Sequence, residues 1–134
     1  MDKRAPSIRR DDYSRRVIRS HTIVGIGEAL WDLLPAGKHI GGAPLNFVYI
    51  SSLLGERGVA LTRVGDDELG HELKRQLSRR GVDASYVQRD PSLPTGEVSV
   101  IISEHGQPSY KIQHPSAWDA LQWTPTLKQI ICRS

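Results

Sequence analysis

The sequence predicts an α/β fold: a parallel sheet with helices on its faces and one β-hairpin inserted into it. Two short β-branched runs that stop at glycines, "HTIVGIG" (21–27) and "GVALTRVG" (58–65), alternate with stretches of helical period. That alternation implies parallel strands joined by crossover helices. At 97–104 the apolar period falls to two, the mark of a strand with one buried face.

With 134 residues, 25% charged and 38% hydrophobic, the chain suits one soluble domain large enough to bury a real core. No apolar stretch approaches the roughly 20 residues that span a bilayer. The single cysteine, Cys132, cannot form an internal disulfide, so a cytoplasmic location is expected. Charge is uneven along the chain. Residues 1–20 hold Lys3, Arg4, Arg9, Arg10, Arg15, Arg16 and Arg19 against Asp2, Asp11 and Asp12, a net +4 that leaves −1 for the rest. This arm lacks aromatic interleaving and an apolar signal-peptide region, so neither nucleic acid nor membrane is an expected partner. Residues 1–20 are expected to form a poorly ordered basic tail, with the domain beginning at 21.

Residues 44–54 are apolar on more than one face through Leu45, Phe47, Val48, Ile50, Leu53 and Leu54, as in a helix packed between a sheet and other elements. Pro44 suits the first helical position and Gly55 the C-terminal cap. After the strand at 58–65, Asp66 is expected to cap a second helix whose Leu69, Leu73 and Leu77 recur every four residues. Its acidic start (Asp66, Asp67, Glu68) and basic end (Arg79, Arg80) both match the helix dipole. In the strand at 97–104, Val98, Val100 and Ile102 share a face; His105–Gly106 can form the turn, and "QPSYKIQH" returns as its partner. Thr124–Pro125 opens a last helix striped by Leu127, Ile130 and Ile131. The sequence then stops at Ser134 without a following strand, which for a sheet of βα units is expected of a truncated chain.

Glycines 25 and 27 after the first strand suggest a dinucleotide fingerprint, but Leu30 stands where the third glycine belongs, so a tight turn explains them better. That turn would place Glu28 and Asp32 at the carboxyl end of the first strand, where open α/β sheets bind ligands. Gly41 and Gly42 lie at the mouth of the next helix, where a missing Cβ lets a ligand approach the main chain and free N–H groups can donate. Asn46, one turn in, offers both donor and acceptor. A carboxylate, bare amides and an amide side chain suit the hydroxyls of a sugar; a glycine-rich turn with Asn46 as a satisfied structural amide accounts for the same spacing. Trp31, Trp118, Trp123 and Tyr110 could line such a site, although aromatic residues more often pack in a core or lid. The five histidines show no metal-ligand spacing.

"GEALWDLLP", "GGAPLNFVYISSLLG", "TRVGDDELGHELKRQLSRRGVD", "PTGEVSVIISEHGQPSYKI" and "SAWDAL" together resemble, in order, the N-terminal part of the ribokinase/PfkB family of carbohydrate kinases, its fructokinase-like members in particular. The resemblance covers about residues 22–123 and implies a partial ribokinase-like (Rossmann-like) sheet with a lid at about 85–115 and no C-terminal half. It implies that Asp32 accepts hydrogen bonds from sugar hydroxyls, that Gly41, Gly42 and Asn46 complete the contacts, and that Val98 and Val100 close over the substrate. In intact members the γ-phosphoryl of Mg-ATP passes to a sugar hydroxyl. The general base of that reaction sits in a G-A-G-D-type segment near the C-terminus, and the nucleotide pocket lies in the same half. No "GxGD" follows residue 65, and "VGDD" (64–67) belongs to a helix start. The resemblance therefore implies a chain with part of the sugar site (fructose or a related sugar) and the lid, but no catalytic base, metal site or ATP site, and inactive as a kinase alone. It leaves room for a homodimer through the lid. The alternatives are a non-catalytic sugar-binding or dimerisation module and a non-functional gene remnant.

Overall fold

A computed structural model describes residues 21–134; the basic segment 1–20, and the disorder expected of it, lie outside the described residues. In chain order the elements are β1 (Thr22–Ile26), β2 (Leu30–Leu34), β3 (Gly37–Gly41), α1 (Ala43–Leu53), β4 (Arg57–Leu61), β5 (Arg63–Gly65), α2 (Glu68–Arg79), β6 (Gln88–Asp90), β7 (Gly96–Ile102), β8 (Pro108–Ile112), a 3-10 turn (Ala117–Ala120) and α3 (Pro125–Cys132). The predicted α/β class holds: β1 pairs with β4, β2 with β7 and β5 with β6, all parallel.

The crossover from β1 to β4 is tight because two glycines let α1 rest on the strands. A Cβ on Gly25 would lie 2.6 Å from the Pro44 carbonyl oxygen and 2.7 Å from Val48 Cγ1, and one on Gly58 would overlap Ser52 and the Val48 carbonyl. Leu45, Val48 and Ser51 form the buried face of α1. Its second apolar face, expected to be covered, is open among the described residues: Phe47, Ile50, Leu53 and the adjoining Leu54 are all exposed.

Residues 58–65 form two strands rather than one. Buried Thr62 interrupts the run and donates from Oγ1 to the Gly27 carbonyl at 2.6 Å, so β4 stays with β1 while β5 continues to β6. The N-cap of α2 is Asp67 and not Asp66. Asp67 Oδ1 accepts from the Gly70 amide at 2.8 Å and from Thr95 Oγ1 at 2.7 Å, while Oδ2 accepts from the Thr95 amide at 2.9 Å. Asp66 is turned outward to His71. Only the second aspartate of the pair can reach both the helix start and the root of β7, and that decides the cap.

β7 and β8 form the predicted antiparallel hairpin, but it is half of a larger sheet ordered β3-β2-β7-β8. Residues 88–90, within the segment assigned to a lid by resemblance, form β6 and pair with β5 instead. The β2–β3 hairpin went unpredicted because "LWDLL" is apolar at four of its five positions and shows no alternation. Trp31 and Ile40 on the back of this sheet join Leu45, Val48, Val64, Leu73 and Leu77 in the main core. Trp31 is fully buried, and its indole N–H donates to the Leu69 carbonyl at 3.0 Å. A second cluster docks Leu127 and Ile130 of α3 on Val59 and Leu61. Between β5 and β6, Arg63 Nε lies 2.8 Å from Asp90 Oδ2. That N–H is not aimed along the line, so the contact is ionic rather than a directed hydrogen bond. Among the described residues no helix is long and apolar enough to cross a membrane.

Gly25→Ala should cost about 1–3 kcal/mol in urea unfolding, because α1 must lift to admit the methyl group; an unchanged midpoint would show that the helix does not sit so close. Partial burial pushes the Asp67 carboxyl up, but the hydrogen bonds from Thr95 and Gly70 outweigh it and hold the folded value below the usual carboxylate range. A depressed folded value means that the unfolded chain binds the proton more readily, so this stabilisation is complete above the ordinary carboxylate pKa and disappears as pH falls through the folded one. Asp67→Ala should therefore lose about 0.5–2 kcal/mol at neutral pH and show a shallower acid limb below about pH 4, read from denaturant midpoints across pH. An acid limb as steep as that of the wild type would remove Asp67 from the titration.

Candidate functional site

Asp32 lies in the middle of β2, opposite His39 of β3 and Val98 of β7. Strand alternation puts Leu30, Asp32, His39, Gly41, Val98 and Val100 on one face, with Tyr110 and Ile112 of β8 opposite the two valines. Trp31, Leu33 and Ile40 take the other face, which packs on the core. Trp31 is thus a core residue and not a lining residue of this site.

On the Asp32 face the glycines do what a missing Cβ allows. A Cβ on Gly41 would overlap the Asp32 carboxylate and lie 2.6 Å from Leu30 Cδ1, so the carboxylate rests against bare main chain. Gly42, the N-cap of α1, has φ +108°, a left-handed conformation costly for other residues, and a Cβ there would lie 2.6 Å from the Glu28 carbonyl oxygen. One amide expected to be free is engaged: Ala43 N–H donates to Glu28 Oε1 at 3.1 Å. Glu28 therefore belongs to the frame, holding the first turn of α1 beside the sheet, with its negative charge at the positive end of the helix.

Asp32 is half-buried, and its carboxylate has no hydrogen-bond or ion-pair partner among the described residues. Asn46 is exposed one turn into α1, where its amide N–H donates to the Gly42 carbonyl at 3.1 Å and its side chain is likewise unengaged among the described residues. Val98 is buried and Val100 partly so. The two pairings of β2 thus bring Asp32, Gly41 and Val98 to one face, with Gly42 next in the chain, Asn46 one helical turn away and Val100 two residues along β7. An unpaired, half-buried carboxylate is costly unless a ligand or water donates to it.

Of the other tryptophans, Trp118 is half-buried, with its indole nitrogen 2.9 Å from the Cβ position of Gly96 and without a hydrogen-bond partner among the described residues, while Trp123 is exposed. No three His, Cys, Asp or Glu side chains gather to hold a metal among the described residues. Open hollows among the described residues lie away from Asp32. One of about 530 Å³ runs along α2, and one of about 420 Å³ is lined by Glu97, Ser99, Lys111, Ile112, Gln113 and His114. The Asp32 site is a ledge rather than an enclosed cavity; the strand register and the unpaired carboxylate mark it, not its volume. His39, directly across from Asp32, was invisible to sequence reasoning because the β2–β3 pairing was.

Gly41→Ala should displace the Asp32 carboxylate, shifting its Cγ resonance in a 13C spectrum and costing about 1–3 kcal/mol of stability. If neither changes, the carboxylate does not rest on this glycine.

The model for pfkB family carbohydrate kinases matches residues 35–130, which hold every proposed ligand residue except Asp32, three positions earlier. A 2-dehydro-3-deoxygluconokinase from Thermoproteus tenax is 44% identical over 59 residues, 44% of this chain and 18% of that one. Fructokinase from Escherichia coli is 36% identical over 98 residues, covering 69% of this chain and 32% of its own length. The crystal structure of fructokinase from Vibrio cholerae O395 in apo form superposes with a TM-score of 0.69 at 33% identity, covering 73% of this chain and 36% of that chain. The chain spans about a third or less of the length of the relatives it matches. The matched span, the shared topology and the ordered series of motifs agree, and the chain belongs to the pfkB family of carbohydrate kinases.

Proposed function

We propose that the ledge formed by β2, β3 and the start of α1, with the β7–β8 hairpin, is the sugar-binding side and lid of an ATP-dependent kinase acting on fructose or a related sugar in the cytoplasm. The observation that carries this reading is the Asp32 carboxylate, half-buried on the bare backbone of Gly41 with no partner among the described residues.

A carboxylate so placed accepts hydrogen bonds from two adjacent hydroxyls, and such charge-assisted bonds fix a sugar ring in one orientation. Gly41 and Gly42 let the ring approach the main chain, and the free amide of Asn46 serves a further hydroxyl as donor or acceptor. Val98 and Val100 offer an apolar cover on the same face. Such a cover keeps water from the reacting phosphoryl group, which matters because hydrolysis competes with transfer to the sugar. The contribution of these residues is positioning, which in phosphoryl transfer supplies much of the rate. The donor in a kinase family is a nucleoside triphosphate, with Mg-ATP the expected form. It is not assigned to this ledge, where Asp32 would repel a polyphosphate.

A second role for the lid is favoured by one feature of β8. It is the edge strand of its sheet and is exposed throughout, and Ile101, Ile102, Tyr110 and Ile112 of the hairpin all face solvent. Pairing of two hairpins in a homodimer would cover both that edge and those side chains.

Calorimetric titration of the 134-residue chain with several ketoses and aldoses should give saturable binding of a ketose. Asp32→Asn should weaken it by about 1.5–3 kcal/mol, the worth of hydrogen bonds to a charged acceptor. The same substitution in a chain joined to the C-terminal part of a related fructokinase should lower sugar-dependent ADP release in proportion. Equal sugar affinity in the two forms would take Asp32 out of the site, and the absence of saturable binding by any sugar in either context would end the proposal.

A further inference from the structure

The 530 Å³ hollow along α2 shares no residue with the sugar ledge, and its chemistry is the opposite. It is lined by His71, Lys74, Arg75, Ser78 and Arg79 of α2, Arg89 of β6, and Val64 and Gly70 beneath them. No carboxylate lines it. Positions 71, 75 and 79 and positions 74 and 78 are helical neighbours, so α2 presents its cations as one stripe. Arg89 stands opposite Val64 in the β5–β6 pair and therefore on the same face of those strands, which brings a cation from a second element to the stripe.

The surrounding carboxylates do not neutralise this set. Asp66 sits at one end, 2.9 Å from His71 Nε2 and 3.6 Å from Arg89, and Glu68 reaches Arg75 at 3.3 Å. Glu72 is hydrogen-bonded to Lys38 and Gln76 and meets Arg75 only through longer-range charge. Lys74 and Arg79 meet no carboxylate among the described residues. Four permanent cations thus meet two carboxylates in direct contact, and one of these, Glu68, is largely exposed and worth little as a partner.

We infer that this hollow is an anion site for a small molecule carrying two phosphate groups, a pyrophosphate or a bisphosphate ester. Its volume lies within the roughly 300–1,000 Å³ of small-molecule sites, and a single phosphate would leave most of it unfilled. Two guanidinium groups from α2 and one from β6 can each grip phosphate oxygens in pairs, while Lys74 supplies a point charge. Val64 and the apolar stems of the basic side chains form the floor. Nucleic acid fits less well, because α2 is only about 18 Å long and no aromatic side chain lines the hollow for a base to stack on.

The test is a titration of the full 134-residue chain with sodium pyrophosphate at low ionic strength, followed by 15N–1H correlation spectra. Saturable binding is expected, with shifts concentrated at residues 64, 70–79 and 89. Inorganic phosphate should bind about tenfold more weakly or less. Arg75→Gln with Arg79→Gln should cost at least about tenfold in affinity, the scale of one lost charge-assisted contact, whereas Lys128→Gln on α3 should leave it unchanged. Should the double variant lose its far-UV spectrum, Lys74→Gln replaces it, with a loss of at least about threefold expected and the wild-type shift map read beside it. Linear shifts spread over the whole surface, an equal loss on Lys128→Gln, or tighter binding of an oligonucleotide than of pyrophosphate would each overturn the inference.

Discussion

Pairing of β2 with β3 is the constraint on which the candidate site depends. It sets Asp32 opposite His39 and so lays the carboxylate diagonally across Gly41, while the parallel pairing of β2 with β7 brings Val98 to the same row. A slip of one residue in either pairing would turn Asp32 to the face now filled by Trp31 and put an indole on the ledge. What prevents the slip is the core behind the sheet. Trp31 is fully buried there, with its N–H committed to the Leu69 carbonyl and Ile40 in the same cluster. The apolar face of the sheet therefore holds the polar face in register.

Bare backbone serves two purposes in this chain, and they are physically distinct. At Gly25 and Gly58 it lets α1 lie close on β1 and β4, which fixes where the helix begins. At Gly41 the space of the missing Cβ is taken by the Asp32 carboxylate, and at Gly42 by the Glu28 main chain. The first pair sets the helix on the strands, and the second lets the Asp32 carboxylate and the Glu28 main chain close on its start. Both sets are glycines near strand ends, so the sequence alone does not separate them; only at Gly41 would the absent Cβ meet the side-chain carboxylate of Asp32.

Much of the architecture was legible because it is written in periodicity. The four-residue spacing of Leu69, Leu73 and Leu77 and the two-residue spacing of Val98, Val100 and Ile102 each survive as elements of the predicted kind. Legibility ended where a residue answers to two partners at once. Asp66 and Asp67 are equivalent by local rules of capping, and the choice between them rests on Thr95, 28 residues further on. Likewise the apolar run at 58–65 reads as one strand until the Thr62 hydroxyl is seen to hold the Gly27 carbonyl. At the candidate site, residue type and spacing single out Asp32, Gly41, Gly42 and Asn46 but fit a glycine-rich turn with a structural amide equally well. Their convergence could not be read, since it depends on a hairpin whose strands lack alternation.

The Asp67 clamp also explains how the β7–β8 hairpin can be anchored at its base and yet free at its tip. Thr95 Oγ1 donates to Asp67 and accepts from the Gly65 amide at 3.0 Å, so one hydroxyl ties the end of β5, the start of α2 and the root of β7. From that root, burial falls along β7, from Gly96 and Val98, which are buried, through Val100 to Ile101 and Ile102, which are exposed. Few buried contacts mean a low free energy of local opening, so the hairpin tip is the part of this sheet best able to shift while its base keeps register. Val98 lies on the fixed side of that gradient, beside Asp32, and Val100 lies near its middle. A ligand on the ledge would therefore meet one wall already in place and a second brought in by bending of the hairpin, the arrangement by which a site can both admit a substrate and exclude water.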